Sequence, residues 1–106
     1  MLGELEQVVL LAILRLGEDA YGVPIAAEIE EQTGRELTLA TIYKTLTRLE
    51  AKELVVARMG DPTPQRGGRR KRYYSLTTAG RTAVRHSLTV LRRMTRGLQP
   101  GLDLSQ

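Results

Sequence analysis

Between Thr38 and Leu76 the chain changes its hydrophobic period from helical to strand-like, and no other feature restricts the fold as strongly. Leu39, Ile42, Leu46 and Leu49 recur at helical spacing on one side, while Ala40, Thr41, Lys44, Thr47 and Arg48 fall on the other, at about 100° per residue. Leu54 to Arg58 and Arg70 to Leu76 then read as strands rich in Val and Tyr, joined by the Pro- and Gly-containing turn MGDPTPQRGGR. The predicted unit is a recognition helix followed by a β-hairpin wing. The outer side of the helix is small, hydroxylated and cationic, without a carboxylate, which suits a surface entering the major groove of DNA. An amphipathic helix alone describes most helices of soluble domains. The wing is what shifts the reading. Arg66, Arg69, Arg70, Lys71 and Arg72 crowd its tip and returning strand with no acid among them. Such a run is often only solvated, but one strand after a candidate recognition helix it fits phosphate or minor-groove contact.

With 106 residues the chain is expected to form one small domain that gains from burial against a partner. A formal net charge of +4 favours a polyanionic partner. The absence of cysteine excludes disulfides, thiol catalysis and thiolate metal sites. Leu5 to Leu16 is apolar, but it opens beside Glu4 and Glu6 and is too short to span a bilayer. The expectation is therefore a cytoplasmic chain without a signal peptide or membrane partner. No nucleophile, base and orienting group can be assembled, and His86 is the single histidine, so neither an enzyme nor a metal site is expected, and no cofactor.

Elsewhere, helix punctuation divides the chain. Leu5, Val8, Val9, Ala12, Ile13 and Leu16 form the apolar face of a first helix, with Gly17 placed as its terminal glycine. A second helix is expected from about Gly22, with Pro24 tolerated in its first turn, Ile25, Ala26 and Ile29 inward, and Gly34 as its stop. Thr38 is a natural N-cap for the recognition helix. Thr77 does the same for a last helix from about Thr78 to Gly97, whose stripe Val84, Leu88, Leu91, Met94 and Leu98 is too long for so small a head to cover. That stripe, with Leu5, Val8 and Val9 of the first helix, is read as a homodimer interface.

The expected fold is mainly α with a small β-hairpin: a winged helix-turn-helix over residues 1–77, a C-terminal dimerisation helix over 78–98 and a flexible tail over 99–106. The DNA-binding candidates are Thr38, Ala40, Thr41, Tyr43, Lys44 and Arg48 on the helix, and Arg66, Arg69, Arg70 and Arg72 on the wing. Among the aromatic residues, Tyr21, Tyr43, Tyr73 and Tyr74, only Tyr43 is picked as a contact, its ring packed inward and its hydroxyl on a phosphate.

DAYGVPIAAEIEE, LTLATIYKTLTRLEAKELV and GGRRKRYYSLTTAG, in this order and spacing, resemble the PadR family of bacterial winged-helix regulators. Tyr21-Gly22, Ala40 to Tyr43, Leu54-Val55, and Arg72 to Tyr74 leading to Gly80 carry the resemblance, which runs from Leu5 to about Leu98. It implies a homodimeric DNA-binding repressor whose C-terminal helices pack with the partner's N-terminal helices, and the single C-terminal helix is similar to the compact branch. In some members the dimer interface admits a small-molecule inducer, so an effector there is a further expectation. Glu53 departs from the family pattern, which usually has glycine before the wing, and implies either a left-handed residue or a shifted helix end. Three alternatives remain: a winged-helix protein-interaction module, a protein reading only nucleic-acid backbone, and a MarR-like dimer, which needs more C-terminal helix.

Overall fold

A computed structural model describes residues 2–61 and 70–102. Three helices, α1 (Glu4–Leu16), α2 (Gly22–Thr33) and α3 (Leu39–Ala51), precede the antiparallel hairpin β1 (Val55–Met59) and β2 (Arg72–Leu76), followed by α4 (Thr78–Thr95) and the short α5 (Gln99–Leu102). The chain punctuation acts as its chemistry dictates. Gly17 and Gly34 end α1 and α2 at φ 60° and 76°, a region glycine enters without steric cost. Thr38 caps α3 by accepting a hydrogen bond from the Thr41 amide at 3.1 Å, and Thr77 caps α4 by accepting one from the Gly80 amide at 3.0 Å.

Leu10, Ile25, Ile42, Leu46 and Leu49 are fully buried where α1, α2 and α3 converge. The hairpin pairs Val55 with Leu76 and Ala57 with Tyr74, and this face closes the core. The free edge of β2 is pinned as well, because the Tyr74 amide donates to the Ala20 carbonyl at 2.8 Å. At the other side, the Thr77 amide and hydroxyl donate to the carbonyls of Leu54 (3.0 Å) and Glu53 (2.7 Å), docking the start of α4 on the α3–β1 connection. Gly80 sits against that connection with no room for a Cβ, which would collide with the Leu54 carbonyl oxygen and lie 3.1 Å from its carbon.

Beyond Ser87, α4 leaves the head. The molecule measures 54 × 27 × 21 Å with a radius of gyration of 15.7 Å, above the about 13 Å of a compact chain of this length.

Several expectations are corrected here. Val9 (0% exposed) and Val84 (4%) belong to the chain's own core, since α1 and α4 meet across them, so neither has surface left for a partner. Leu39 opens α3 with 42% of its surface exposed, because the first turn overhangs the core that Ile42 reaches. The last helix stops at Thr95, short of Gly97, and the tail expected from residue 99 begins as the helical turn α5. β1 is displaced by one residue from the expected Leu54 to Arg58, and β2 starts at Arg72, two residues after the expected Arg70, residues 70–71 belonging to the connection between the strands. Glu53 takes the left-handed alternative, at φ 60°, the one non-glycine residue to do so among those described.

Candidate nucleic-acid interface

Ile42, Thr45, Leu46 and Leu49 commit one side of α3 to the core, so its opposite side must face solvent. Ala40, Tyr43, Lys44, Thr47 and Arg48 are exposed there, and Thr41 is half-buried. Among the described residues neither Lys44 nor Arg48 forms an ion pair, so both heads are available to an external anion. Thr38 performs the N-cap role expected of it: its hydroxyl is engaged with Thr41, accepting from the amide at 3.1 Å and donating to the Thr41 hydroxyl at 2.9 Å. Its contribution is to hold the helix start rigid.

Tyr43 lies where α3 meets the start of α2. Its ring edge covers Gly22, and a Cβ there would come within 2.6 Å of the ring Cζ. A larger residue at position 22 would therefore displace the Tyr43 ring, and with glycine there the phenol hydroxyl is brought to the first turn of α2. Tyr21, the N-cap, contributes no side-chain cap, and Pro24 has no amide, so the Gly22 and Val23 amides of this first turn receive no side-chain cap. The ring remains 44% exposed, so it packs against a neighbour without entering the core.

On the wing, Arg70 is exposed, whereas Arg66 and Arg69 lie outside the described residues. Arg72 is less available than expected. Its guanidinium donates to both carboxylate oxygens of Glu50, at 3.1 and 2.9 Å, and this pair further stabilises its charged form. Glu50 is thus the carboxylate on α3 that the reading of its outer face passed over; it stands in the last turn, turned toward β2, and among the described residues its ion pair is with Arg72.

Sequence reasoning also missed a buried charge. Glu6 is 5% exposed, accepts from the Gly3 amide at 3.0 Å and is ion-paired with Lys52 at 2.7 Å. Burial pushes its carboxyl up, but the Lys52 ammonium, the Gly3 amide and the nearby Arg48 charge together hold it below its ordinary value. The pair ties the start of α1 to the end of α3, which fixes the angle at which α3 is presented. No local pattern announces a pair separated by 46 residues.

Away from this side, Leu88 (37% exposed), Leu91 (50%) and Met94 (71%) form a solvent-facing apolar stripe along the projecting helix, while Leu98 (50%), expected on the same stripe, lies past its end in the turn before α5. Leu5 and Val8 on α1 are half-buried. Val8 and Leu11 open into a groove of about 190 Å³ between α1 and α2. Among the described residues no helix is long and apolar enough to cross a membrane.

Comparison with known proteins gives a consistent picture. The profile of the transcriptional regulator PadR-like family matches residues 10–86. A PadR family transcription regulator from Clostridium difficile superposes with a TM-score of 0.73 at 26% identity, covering 92% of this chain and 97% of that one. A transcriptional regulator from Streptococcus gives 0.71 at 25% identity, covering 91% and 89%. An uncharacterized protein of Lysinibacillus sphaericus is 38% identical over 81 residues, 74% of this chain and 70% of its own length.

Proposed function

Because this chain belongs to the PadR-like family of transcriptional regulators, whose fold is that of a DNA-binding regulator, we propose that it is a homodimeric repressor that reads its operator with α3. The observation that carries this reading is the exposed pair Lys44 and Arg48, neither of them ion-paired among the described residues, on a helix held at its start by the Thr38 cap and at its end by the Glu6–Lys52 ion pair. A rigid helix is what base-edge contact needs, since a bidentate hydrogen bond to guanine or adenine tolerates little misplacement. Thr41, Ala40 and Lys44 face the groove, and Arg48 reaches a base or flanking phosphate.

The phosphate contacts in this scheme are the Tyr43 hydroxyl beside the Gly22 and Val23 amides, and the arginines of the wing, with Arg66, Arg69 and Arg70 binding without base preference. Arg72 acts by holding the wing to α3. Leu88, Leu91, Met94 and Leu98 of the two copies pack together and against Leu5 and Val8, holding two heads at a fixed separation. A small-molecule inducer at this interface would meet aliphatic side chains, since α4 carries no aromatic residue. A planar aromatic ligand is poorly matched to it.

Selection from a random duplex pool tests the scheme. A dimer of this kind returns a two-fold symmetric sequence with half-sites one or more helical turns apart, about 34–36 Å per turn. Equal recovery of unrelated duplexes would assign it to backbone-only binding, and recovery of none would leave the protein-interaction reading.

A further inference from the structure

The outer face of the hairpin carries an aromatic and cationic chain that the interface described above does not use. Tyr73 on β2 packs against Tyr21, the N-cap of α2, with ring centroids 5.4 Å apart and planes tilted by 58°. The Arg58 guanidinium covers the far side of this pair, 4.6 Å from the Tyr73 centroid, and the Lys71 ammonium lies 4.9 Å from the Tyr21 centroid. Arg58 also donates to the Glu18 carbonyl at 3.4 Å, so the chain ends on the turn after α1. Tyr21 is followed directly by Gly22, on which the Tyr43 ring of α3 rests. The Tyr21–Tyr73 pair is thus linked through the Gly22 backbone to the Tyr43 ring, a belt that runs from the recognition helix, across the start of α2, to the base of the wing.

Resting on the reading of α3 and the wing as the DNA-contacting elements, we propose that Tyr21 and Tyr73 are positioning residues that set the angle of the wing relative to α3 for DNA binding. A two-stranded hairpin is marginally stable by itself. Backbone bonds tie this one to the head at its base, where Leu54 donates to Leu49 and Thr77 to Leu54, and along the edge of β2, where Tyr74 donates to Ala20, while the Gly60 amide bonds the Lys71 carbonyl at 2.8 Å within the hairpin itself. The Arg72–Glu50 pair is half-exposed and correspondingly weak. On the outer face the Tyr21–Tyr73 pair, flanked by Arg58 and Lys71, is the contact that resists the wing swinging outward. Tilted ring pairs with a cation over the face have the geometry that gives such contacts their direction as well as their area. Lys71, held over Tyr21, serves the belt, which separates its role from that of Arg70.

The test compares Tyr21→Leu, Tyr73→Leu, the double variant and Tyr21→Phe, with DNA affinity and amide exchange read on the same full-length samples. Each leucine variant should bind operator and random duplexes about three- to tenfold more weakly, and should flatten the dimer's salt slope by up to about 1.8 if one phosphate contact per subunit is lost. The Tyr74 amide, which bonds the head, should exchange faster than in the parent. Tyr21→Phe should match the parent in every readout, and the double variant should be no weaker than the worse single one. Unchanged affinity and exchange in a folded Tyr73→Leu protein overturns the proposal, as does full additivity of the two changes. Should Tyr21→Leu unfold, Tyr73→Leu carries the comparison, since its site lies on the hairpin. Failure of the parent protein to bind any duplex would instead refute the DNA-binding reading on which the belt's role depends.

Discussion

Replacing Gly80 with alanine sets two effects of known sign against each other. In a helix interior alanine is favoured over glycine by about 1 kcal/mol, so at an exposed site the change would stabilise α4. Here the new Cβ would enter the Leu54 carbonyl oxygen and stand 3.4 Å from the Leu76 Cβ. Leu54 cannot retreat. Its amide donates to Leu49 at 3.0 Å, its carbonyl accepts from Thr77 at 3.0 Å, and the neighbouring Glu53 carbonyl accepts from the Thr77 hydroxyl at 2.7 Å. The helix must lift instead, stretching both Thr77 bonds at a loss of about 1 kcal/mol each and straining the packing by about 1–3 kcal/mol. Net destabilisation should be about 2–4 kcal/mol, a fall in Tm of roughly 10–30 °C for a chain of this size. Urea titration at one fixed protein concentration measures it. A Gly80→Ala protein as stable as the parent, or more so, would show that α4 does not dock on the α3–β1 connection in this way.

Three further outcomes follow from single sites. Gly22→Ala meets a side chain and not backbone, so stability should change by less than about 1 kcal/mol while the displaced Tyr43 lowers operator affinity about tenfold; loss of stability with affinity intact would contradict the phosphate role given to Tyr43. Glu53→Gly should stabilise the fold by about 0.5–1 kcal/mol, since a non-glycine residue at φ 60° is strained, and a destabilised variant in the same urea titration would refute this. Glu6, held below its ordinary value, contributes stability that is present above that value and lost as pH falls through its folded one. Lys52→Met leaves burial dominant, so acid unfolding should move to higher pH, and an unshifted acid midpoint would contradict the pairing.

Helix ends were legible in the sequence because they depend on single residues with local chemistry: Gly17, Gly34, Thr38 and Thr77 stand where their side chains, or lack of one, required. Ile42, Leu46 and Leu49 were equally readable, since helical spacing defines a face. What covers a face is a different matter. The stripe from Val84 to Leu98 was read as one surface, yet its first residue is covered by the chain's own α1 and the remainder is exposed, a boundary set by where the head ends. Val9 was misassigned for the same reason. The Glu6–Lys52 and Glu50–Arg72 pairs and the Tyr21–Tyr73 contact join residues far apart in the chain, so no period or motif encodes them. Glu53 was flagged by its departure from the family pattern, and its left-handed backbone needed the structure to select between the two alternatives.

The central claim, that the outer face of α3 reads DNA sequence, is tested most directly by the ratio of affinities for a selected operator and a scrambled duplex. The parent protein, Lys44→Ala and Arg48→Ala should be compared at the same salt concentration. A lost base-edge contact lowers that ratio by about 1–3 kcal/mol, roughly five- to 150-fold, and at least one of the two variants should show it while melting as the parent does. If both variants keep the parent's ratio, base recognition lies elsewhere and the assignment of α3 as the reader is wrong.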